Sequence, residues 1–122
     1  HLERYPHTLV GGVGRHGFVH GPNVATVGFG SNRHKQLDAP RVPLHQISCG
    51  WDTSAAIDAT RRRLLVWGKI DDFMLAKEHL RPTQDDGVFS VVPLEGVSLK
   101  SVSLGFGHCM VLLDDMSLVG FG

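Results

Sequence analysis

Residues 48–68, SCGWDTSAAIDATRRRLLVWG, decide how this sequence is interpreted, because they run from a glycine turn through two apolar segments to an aromatic–glycine end. The same order occurs on both sides of them. Each copy has a polar residue at a near-constant distance before its closing glycine: His16 before Gly30 and His108 before Gly122, both by 14 residues, and Thr53 before Gly68, by 15. We therefore interpret the chain as a repeat protein, in which residues 61–63 hold one inserted turn residue.

Each copy predicts a β-hairpin, since two apolar runs flank a turn of residue types that favour tight backbone conformations. The predicted strand pairs are Met110–Leu113 with Leu118–Phe121, Ser54–Ile57 with Leu64–Trp67, and Gly17–His20 with Val24–Phe29. Their turns are Asp114–Ser117, Asp58–Thr60 and Gly21–Asn23. Thr8–Val10 is a further candidate strand, and residues 1–7 are expected to form a linker or the end of a preceding unit.

The segment after the first aromatic–glycine pair adds Asn32, then Gln36 and Leu37, then a proline-bearing link to a strand and Gly50. This succession, closed by Gly-x-x-His or its Thr variant, resembles the repeat of the regulator-of-chromosome-condensation family, a seven-bladed β-propeller. The resemblance covers most of residues 12–122. Within the family, the run around Cys49–Thr53 is similar to the alpha-tubulin-suppressor and secretion-regulating exchange-factor branch.

The resemblance implies an all-β fold, about two to three blades of a seven-bladed β-propeller with one short helical insertion. We expect residues 1–122 to form a single partial propeller domain, with repeats at about 12–30, 31–68 and 88–122 and an insertion at 69–87. These repeats are too few to close a ring, so we expect the chain to be part of a longer protein. The structural repeat positions are His16, Gly30, Asn32, Gln36, Leu37, Gly50, Trp67, Gly68, Gly105, His108 and Gly122.

The insertion is visible in the spacing of the closing glycines, which is 38 residues from Gly30 to Gly68 but 54 from Gly68 to Gly122. Early acidic residues, a late lysine and Pro82 predict a short helix. Its expected common face carries Phe73, Met74, Lys77 and Leu80. From Val88 onward the apolar pattern resumes and predicts an inner strand. The helix either covers the adjoining blade or binds a partner on one rim of the propeller.

Composition limits the classes of partner. The chain has 12 Lys and Arg residues and 12 Asp and Glu residues, and its isoelectric point is near 7.3. Because nucleic-acid binding usually requires a strongly basic surface, no nucleic-acid partner is expected. The basic run at 61–63 is interpreted as a solvated turn, with an acidic partner as the alternative. Cys49 and Cys109 are expected to be free thiols of an intracellular protein of the cytoplasm or nucleus, with an organelle left open. No apolar run is long enough to span a membrane.

No catalytic, metal or cofactor site is predicted. The eight histidines are dispersed without metal-ligand spacing, and His16 and His108 are expected to donate a hydrogen bond to a loop carbonyl while packing on a blade edge. Residues 12–17 satisfy Gly-x-Gly-x-x-Gly, but a strand and turn follow where a dinucleotide site needs a helix. Ser48–Trp51 lacks a nucleophile-elbow or papain-type signature. We therefore expect no enzyme activity.

Four functions stay open at this point. The first is a non-enzymatic protein-interaction module or scaffold. The second, implied by the resemblance, is a guanine nucleotide exchange factor for a small GTPase; the third is an accessory partner in tRNA or translation-factor modification, and the fourth is a subunit of a large assembly. The candidate partner-binding residues are Trp51, Asp52, Asp71, Asp72, Phe73, Met74, Lys77 and Leu80.

Overall fold

The computed structural model describes residues 8–11, 16–21, 24–30 and 39–122, and of the side chains before residue 39 it describes only Phe18. The described residues form β1 (Thr8–Gly11), β2 (His16–Gly21), β3 (Val24–Gly30), β4 (Leu44–Cys49), β5 (Thr53–Asp58), β6 (Leu64–Gly68), β7 (Leu80–Pro82), β8 (Phe89–Val91), β9 (Leu99–Leu104), β10 (Cys109–Leu113) and β11 (Leu118–Phe121). Short 3₁₀ turns span Ile70–Phe73, Lys77–His79 and Val92–Leu94. The predicted all-β class is confirmed.

Several predictions from the sequence lie outside the described residues. They concern the linker at 1–7, the glycine motif at 12–15, the turn residues Pro22 and Asn23, and the repeat positions Asn32, Gln36 and Leu37. Of His16, the structure gives the strand position only.

The strands form three antiparallel sheets. The first sheet has the order β1-β2-β3, the second β4-β5-β6-β8-β7, and the third β11-β10-β9. In each sheet, three strands that are consecutive in sequence lie side by side, which is the meander expected from short hairpin turns. The second sheet is wider because β7 and β8, from the region after Gly68, add to its outer edge along β6.

Strand register confirms the repeat. His16 lies opposite Gly30 in the first sheet, Thr53 opposite Gly68 in the second, and Cys109 opposite Phe121 in the third. The last pair is the neighbour of the pair that aligns His108 with Gly122. The polar residue and the closing glycine of each copy therefore face each other across a hairpin, which explains their near-constant spacing.

The inserted turn residue is also where the sequence predicts it. In the third sheet the hairpin is closed by Leu113 N–H donating to the carbonyl of Ser117 (2.9 Å), and in the second by Asp58 N–H donating to that of Arg63 (3.2 Å). The second turn is one residue longer. Arg61 in that turn has a φ of 60°, the left-handed conformation that lets the chain reverse.

The inserted segment is helical, as predicted, but it is not one continuous helix with a common face. The region forms two separate 3₁₀ turns, and Met74 ends the first one with a left-handed φ of 56°. As a result Phe73 is buried while Met74 is 80% exposed, so the two side chains do not share a face. Lys77 lies in the second 3₁₀ turn, and Leu80 begins β7.

The inner strand expected after Val88 is shorter than predicted. β8 ends at Val91, and a 3₁₀ turn containing Pro93 follows it. Pro93 cannot donate a ladder hydrogen bond, and Gly96 has a φ of 79°. The inner strand of the third sheet, β9, therefore begins only at Leu99.

The second sheet is covered on both faces, which accounts for its continuous apolar strands. On one face Ala55, Ile57, Leu64 and Val66 pack with the third sheet, in a cluster that includes Leu99, Val102 and Val111. On the other face Ala56, Leu65 and Trp67 pack with Phe18 of the first sheet and with Val88. Because alternate residues of a strand point to opposite faces, β5 and β6 have almost no solvent-facing side.

The turn between β5 and β6 is organised by the buried carboxylate of Asp58. It accepts hydrogen bonds from the Thr60 hydroxyl (2.9 Å), from the backbone N–H of Arg62 and Arg63 (both 3.2 Å), and from Arg63 Nε (3.0 Å). Burial raises the pKa of Asp58, but the hydrogen bonds from Arg63, Thr60 and the two amides outweigh burial, and the pKa lies below its ordinary value.

The basic run at 61–63 is a partly exposed hairpin turn, as the sequence predicts, and it is also bonded to β9 and to the segment that precedes β9. Arg61 donates from Nε to the carbonyl of Leu99 (2.9 Å) and pairs with Asp114. Arg62 donates to the carbonyl of Gly96 (3.0 Å). Backbone bonds reinforce this contact: Leu99 N–H donates to the carbonyl of Arg61 (2.8 Å) and Gly96 N–H to that of Arg62 (2.9 Å). The basic run thus joins two sheets.

Candidate functional site

Two equivalent glycine turns form one end of the second and third sheets. Gly50 N–H donates to the carbonyl of Thr53, and Gly105 N–H donates to that of His108, each at 2.9 Å. A Cβ atom at Gly50 would stand 2.6 Å from Thr53 Oγ1, and one at Gly105 would stand 2.1 Å from the His108 ring. The fourth residue of each turn therefore packs directly on the first, a contact that the lack of a side chain at the glycine permits.

His108 makes the packing contact expected of it but not the expected hydrogen bond. Its ring packs on Gly105 as predicted, but in the part of the chain that the structure describes its ring nitrogens make no hydrogen bond to a loop carbonyl. The side chain is exposed. Packing, rather than a donated hydrogen bond, explains why Thr53 can replace histidine in the second sheet.

The residues that follow the two glycines form an exposed aromatic pair. The rings of Trp51 and Phe106 have centroids 5.2 Å apart and planes inclined at 42°, a geometry typical of favourable aromatic contacts. Trp51 is 36% exposed and Phe106 is 64% exposed. Sequence reasoning selected Trp51 but missed Phe106. The signal was available, since Phe106 follows Gly105 as Trp51 follows Gly50.

The closing glycines end their hairpins beside these turns. Gly68 and Gly122 have φ values of 92° and 115°, conformations that favour glycine. A Cβ at Gly122 would lie 2.3 Å from the carbonyl oxygen of Gly107. Directly after Gly68, Lys69 N–H donates to the carbonyl of Asp52 (2.9 Å), so the chain leaves the second sheet against the Trp51 turn.

The first 3₁₀ turn, Ile70–Phe73, lies on the same end of the molecule. Phe73 is 1% exposed and stacks edge-to-face on Phe121, with centroids 5.8 Å apart. The carbonyl oxygen of Asp72 approaches Gly107, and the Asp72 carboxylate lies 3.6 Å from Lys69 Nζ. This turn is thus anchored by Phe73 and borders the Gly105 turn.

We call the exposed part of this end the rim surface, and define it by Trp51, Phe106, Asp71, Asp72 and Met74. Asp71 and Met74 are exposed on either side of the buried Phe73. Phe73 covers the adjoining sheet, as one interpretation of the inserted segment expects. Its neighbours face solvent, so partner binding by them stays a prediction.

Other predicted partner-binding residues lie elsewhere. Asp52 is buried, at 5% exposure, and was expected at the surface beside Trp51. Leu80 packs against the core cluster between the second and third sheets. Lys77 is exposed in the second 3₁₀ turn, and no described contact joins it to the rim surface.

The two thiols are buried in different clusters and are free. Burial raises the pKa of both Cys49 and Cys109 to about 12, which keeps them as neutral, unreactive thiols. Among the described residues, no three His, Cys, Asp or Glu side chains are grouped as metal ligands are. Within the same residues, no helix has the length and apolar character needed to cross a membrane.

No protein-family model matches this sequence, and no curated protein is similar to it. Solved structures share its fold. Human WBSCR16 matches 88% of this chain and 31% of its own length, at a TM-score of 0.70 and 16% identity. Prp20p of Saccharomyces cerevisiae, also called yeast RCC1, matches 98% of this chain and 31% of its own length, at a TM-score of 0.65 and 16% identity.

A third match is the ectodomain of the receptor kinase CR4 from Physcomitrella patens. It covers 93% of this chain and 28% of its own length, at a TM-score of 0.64 and 16% identity. The chain therefore spans about a third of the length of these solved proteins. Its three sheets have the fold of blades from a β-propeller of the regulator-of-chromosome-condensation type.

Proposed function

We propose that this chain is part of a non-enzymatic protein-interaction module or scaffold subunit, and that its partner docks on the rim surface. The observation that carries the proposal is the exposed Trp51–Phe106 pair. Two adjoining aromatic side chains in contact with solvent are the residue type and arrangement that dominate protein–protein binding energies. Their backbone is fixed by the Gly50 and Gly105 turns, so little ordering entropy opposes binding.

The surroundings of the pair also suit a protein partner. Asp71 adds an exposed carboxylate and Met74 an exposed, flexible thioether side chain, beside the anchored Phe73. Methionine adapts its shape to a partner's surface, and rim charges set orientation and association rate more than affinity.

The solved neighbours give general support. Prp20p has binding properties toward Gsp1p and histones, and yeast RCC1 has been solved bound to Kap60. A propeller of this fold can therefore act by binding other proteins. At 16% identity the likeness carries the fold alone, and function depends on the residues of the site.

Two alternatives from the sequence remain proposals of lower rank. The first is regulation or nucleotide exchange of a small GTPase. The second is an accessory role in tRNA or translation-factor modification, which the resemblance to the alpha-tubulin-suppressor branch suggests. Two buried free thiols fit an intracellular protein of the cytoplasm or nucleus. The balanced charge of the chain fits protein partners rather than nucleic acid.

The test is affinity purification of the full-length protein from its own cells, compared with the double variant Trp51→Ala/Phe106→Ala. We expect the variant to lose a specific partner that the parent retains in moderate salt. A matched control is Met116→Ala, because Met116 is 63% exposed but lies in the β10–β11 turn, at the other end of the third sheet. Equal recovery from all three proteins would rule out the rim surface as the docking site.

A nucleotide-release assay separates the exchange-factor alternative from simple binding. The full-length protein is mixed with small GTPases loaded with a fluorescent nucleotide, and the release rate is measured. Acceleration that the double variant abolishes would promote that alternative. Binding without acceleration would leave the interaction module.

A further inference from the structure

A cavity lies away from the rim surface, where β6, β8 and β7 adjoin the link that precedes β4. Its volume is about 450 Å³. Its apolar walls are Pro40, Val42, Leu65 and Pro82. Gly68 ends β6 at the rim, whereas the cavity lies beside the start of β6, near the Asp58 turn. The two sites are therefore separate.

Ser90, whose buried hydroxyl has no partner among the described residues, is one of the residues that line this cavity. Ser90 on β8 is 2% exposed, and among the described residues its Oγ atom makes no hydrogen bond. An unsatisfied buried polar group destabilises the folded protein. Ser90 lies between Leu65 of β6 and Arg81 of β7 across the sheet, so its position is fixed by two strands.

Two guanidinium groups also line the cavity, and each is held through Nε alone. Arg63 Nε donates to Asp58 and Arg81 Nε donates to Glu95, both at 3.0 Å. In the part of the chain that the structure describes, the terminal nitrogens of these two side chains make no hydrogen bond. The cavity therefore presents unused guanidinium donors together with the Ser90 hydroxyl.

The charges around the cavity limit the charge of an anionic ligand, because two arginines face three carboxylates. Arg63 and Arg81 are balanced by Asp58 and Glu95, and Asp85, which also lines the cavity, accepts a hydrogen bond from the Arg41 N–H (3.0 Å). There is no excess positive charge to attract a polyanion such as a polyphosphate. A single carboxylate can still bind, because guanidinium donors form directional, charge-assisted hydrogen bonds with it.

We propose that this cavity binds one carboxylate carried on a small aliphatic body. Ser90 Oγ–H and the terminal nitrogens of Arg63 and Arg81 donate to the carboxylate, and the walls formed by Val42, Leu65 and the two prolines take the aliphatic part. The carboxylate can belong to a free aliphatic acid or to the C-terminal residue of a polypeptide, since both offer the same chemistry.

The test uses four probes titrated into the full-length protein and followed by calorimetry: 4-methylpentanoate, its neutral analogue 4-methylpentanamide, a short peptide ending in leucine with a free carboxylate, and the same peptide amidated. We expect saturable binding of at least one carboxylate and binding about tenfold or more weaker for its amide, since the amide leaves guanidinium donors without a charged acceptor. Which carboxylate binds distinguishes the two sources.

The Ser90→Ala variant separates a binding role from a structural one. Removing an unsatisfied hydroxyl is expected to raise the melting temperature slightly, while carboxylate affinity falls about tenfold. Arg81→Gln is expected to weaken binding of the carboxylate but not of the amide. Lys100→Gln, an exposed charge change on β9, serves as the control. Equal binding of acid and amide, no saturable binding of either carboxylate, or unchanged affinity in Ser90→Ala would overturn the proposal.

Discussion

The backbone N–H of Leu104 donates a 3.0 Å hydrogen bond to the hydroxyl of Ser48, so the inner strand of the third sheet is bonded to that of the second through a side chain. A second bond repeats the pattern two residues earlier, where Val102 N–H donates to Gln46 Oε1 at 2.6 Å. The edge amides of β9 are thus satisfied by polar side chains of β4. Adjacent sheets are fixed in register by these bonds as well as by apolar packing.

Removing either side chain should therefore destabilise the protein. Ser48→Ala and Gln46→Ala are each expected to lower the free energy of unfolding by about 1–3 kcal/mol, because each leaves a partly buried N–H without its acceptor. Chemical denaturation of the full-length protein measures this. His45→Ala is the control, since His45 is exposed on the same strand; a loss no larger than that of His45→Ala would contradict the role given to these bonds.

Asp58 should make the free energy of unfolding depend on pH in the acidic range. Its pKa is lowered in the folded protein, because hydrogen bonds from Arg63, Thr60 and two amides outweigh the effect of burial. A carboxyl group with a depressed folded pKa adds stability above its unfolded pKa of about 3.9, and this contribution disappears as the pH falls through the folded pKa. We expect Asp58→Asn to be less stable at neutral pH and to lose less stability on acidification.

The measurement is the free energy of unfolding of parent and variant from pH 7 downward. The two curves should converge at low pH. Asp115→Asn is a useful comparison: hydrogen bonds from Ser117 lower the pKa of Asp115 as well, but Asp115 is fully exposed, so solvent screening should make its effect small. Parallel curves for Asp58→Asn and the parent would show that the Asp58 network is not the acid-sensitive element.

Sequence reasoning succeeded where structure depends on neighbours along the chain. The hairpins on either side of Asp58 and of Asp114 were predictable, because alternation of apolar residues and turn chemistry are local signals. The register of Thr53 with Gly68 followed from the repeat.

Sequence reasoning failed where contacts between sheets determine the local structure. The pattern at 70–81 satisfies helix rules, yet the burial of Phe73 against Phe121 and the reversal at Met74 override local propensity. The Arg61 turn looks like an exposed charge run, and only the position of the third sheet reveals its acceptor at Leu99. The Ser90 cavity joins segments distant in sequence, so no local pattern could indicate it.

Phe73 and Met74 should respond to substitution in opposite ways. Phe73→Ala is expected to cost about 3–5 kcal/mol of stability, because it empties a buried aromatic site. Met74→Ala, at 80% exposure, should change stability by no more than about 0.5 kcal/mol and instead weaken partner recovery. Thermal unfolding and affinity purification give the two readouts. Equal loss of stability in both variants would mean that Met74 is covered in the full-length protein.

Deletion of residues 71–81 is not a clean test of partner binding. It removes Phe73 together with most of β7, so unfolding of the second sheet would follow whether or not a partner binds there. Point substitutions at Met74 and Asp71 keep the anchor and change only exposed atoms. These point substitutions, and not the deletion, are therefore the suitable variants for testing partner binding by the rim surface.

The two turn glycines should differ in their tolerance of alanine, although they occupy equivalent positions. A Cβ at Gly50 would meet the backbone oxygen of Gly105 at 2.7 Å, so relief of this clash requires the two turns to move apart. At Gly105 the nearest atoms to a Cβ belong to the His108 ring, which is exposed and can rotate. We expect Gly50→Ala to cost about 1–3 kcal/mol, as overpacking does, and Gly105→Ala to cost less.

The same substitution should also disturb the rim surface. Pushing Gly50 away from Gly105 widens the 5.2 Å separation of the Trp51 and Phe106 rings, so Gly50→Ala should change Trp51 fluorescence and reduce partner recovery even where the protein stays folded. Gly105→Ala, measured alongside, shows the effect of an added methyl group without the backbone clash. If Gly105→Ala proves the more damaging of the two, the His108 ring is held more tightly than its exposure indicates and the rim is ordered by that ring rather than by the contact between the turns.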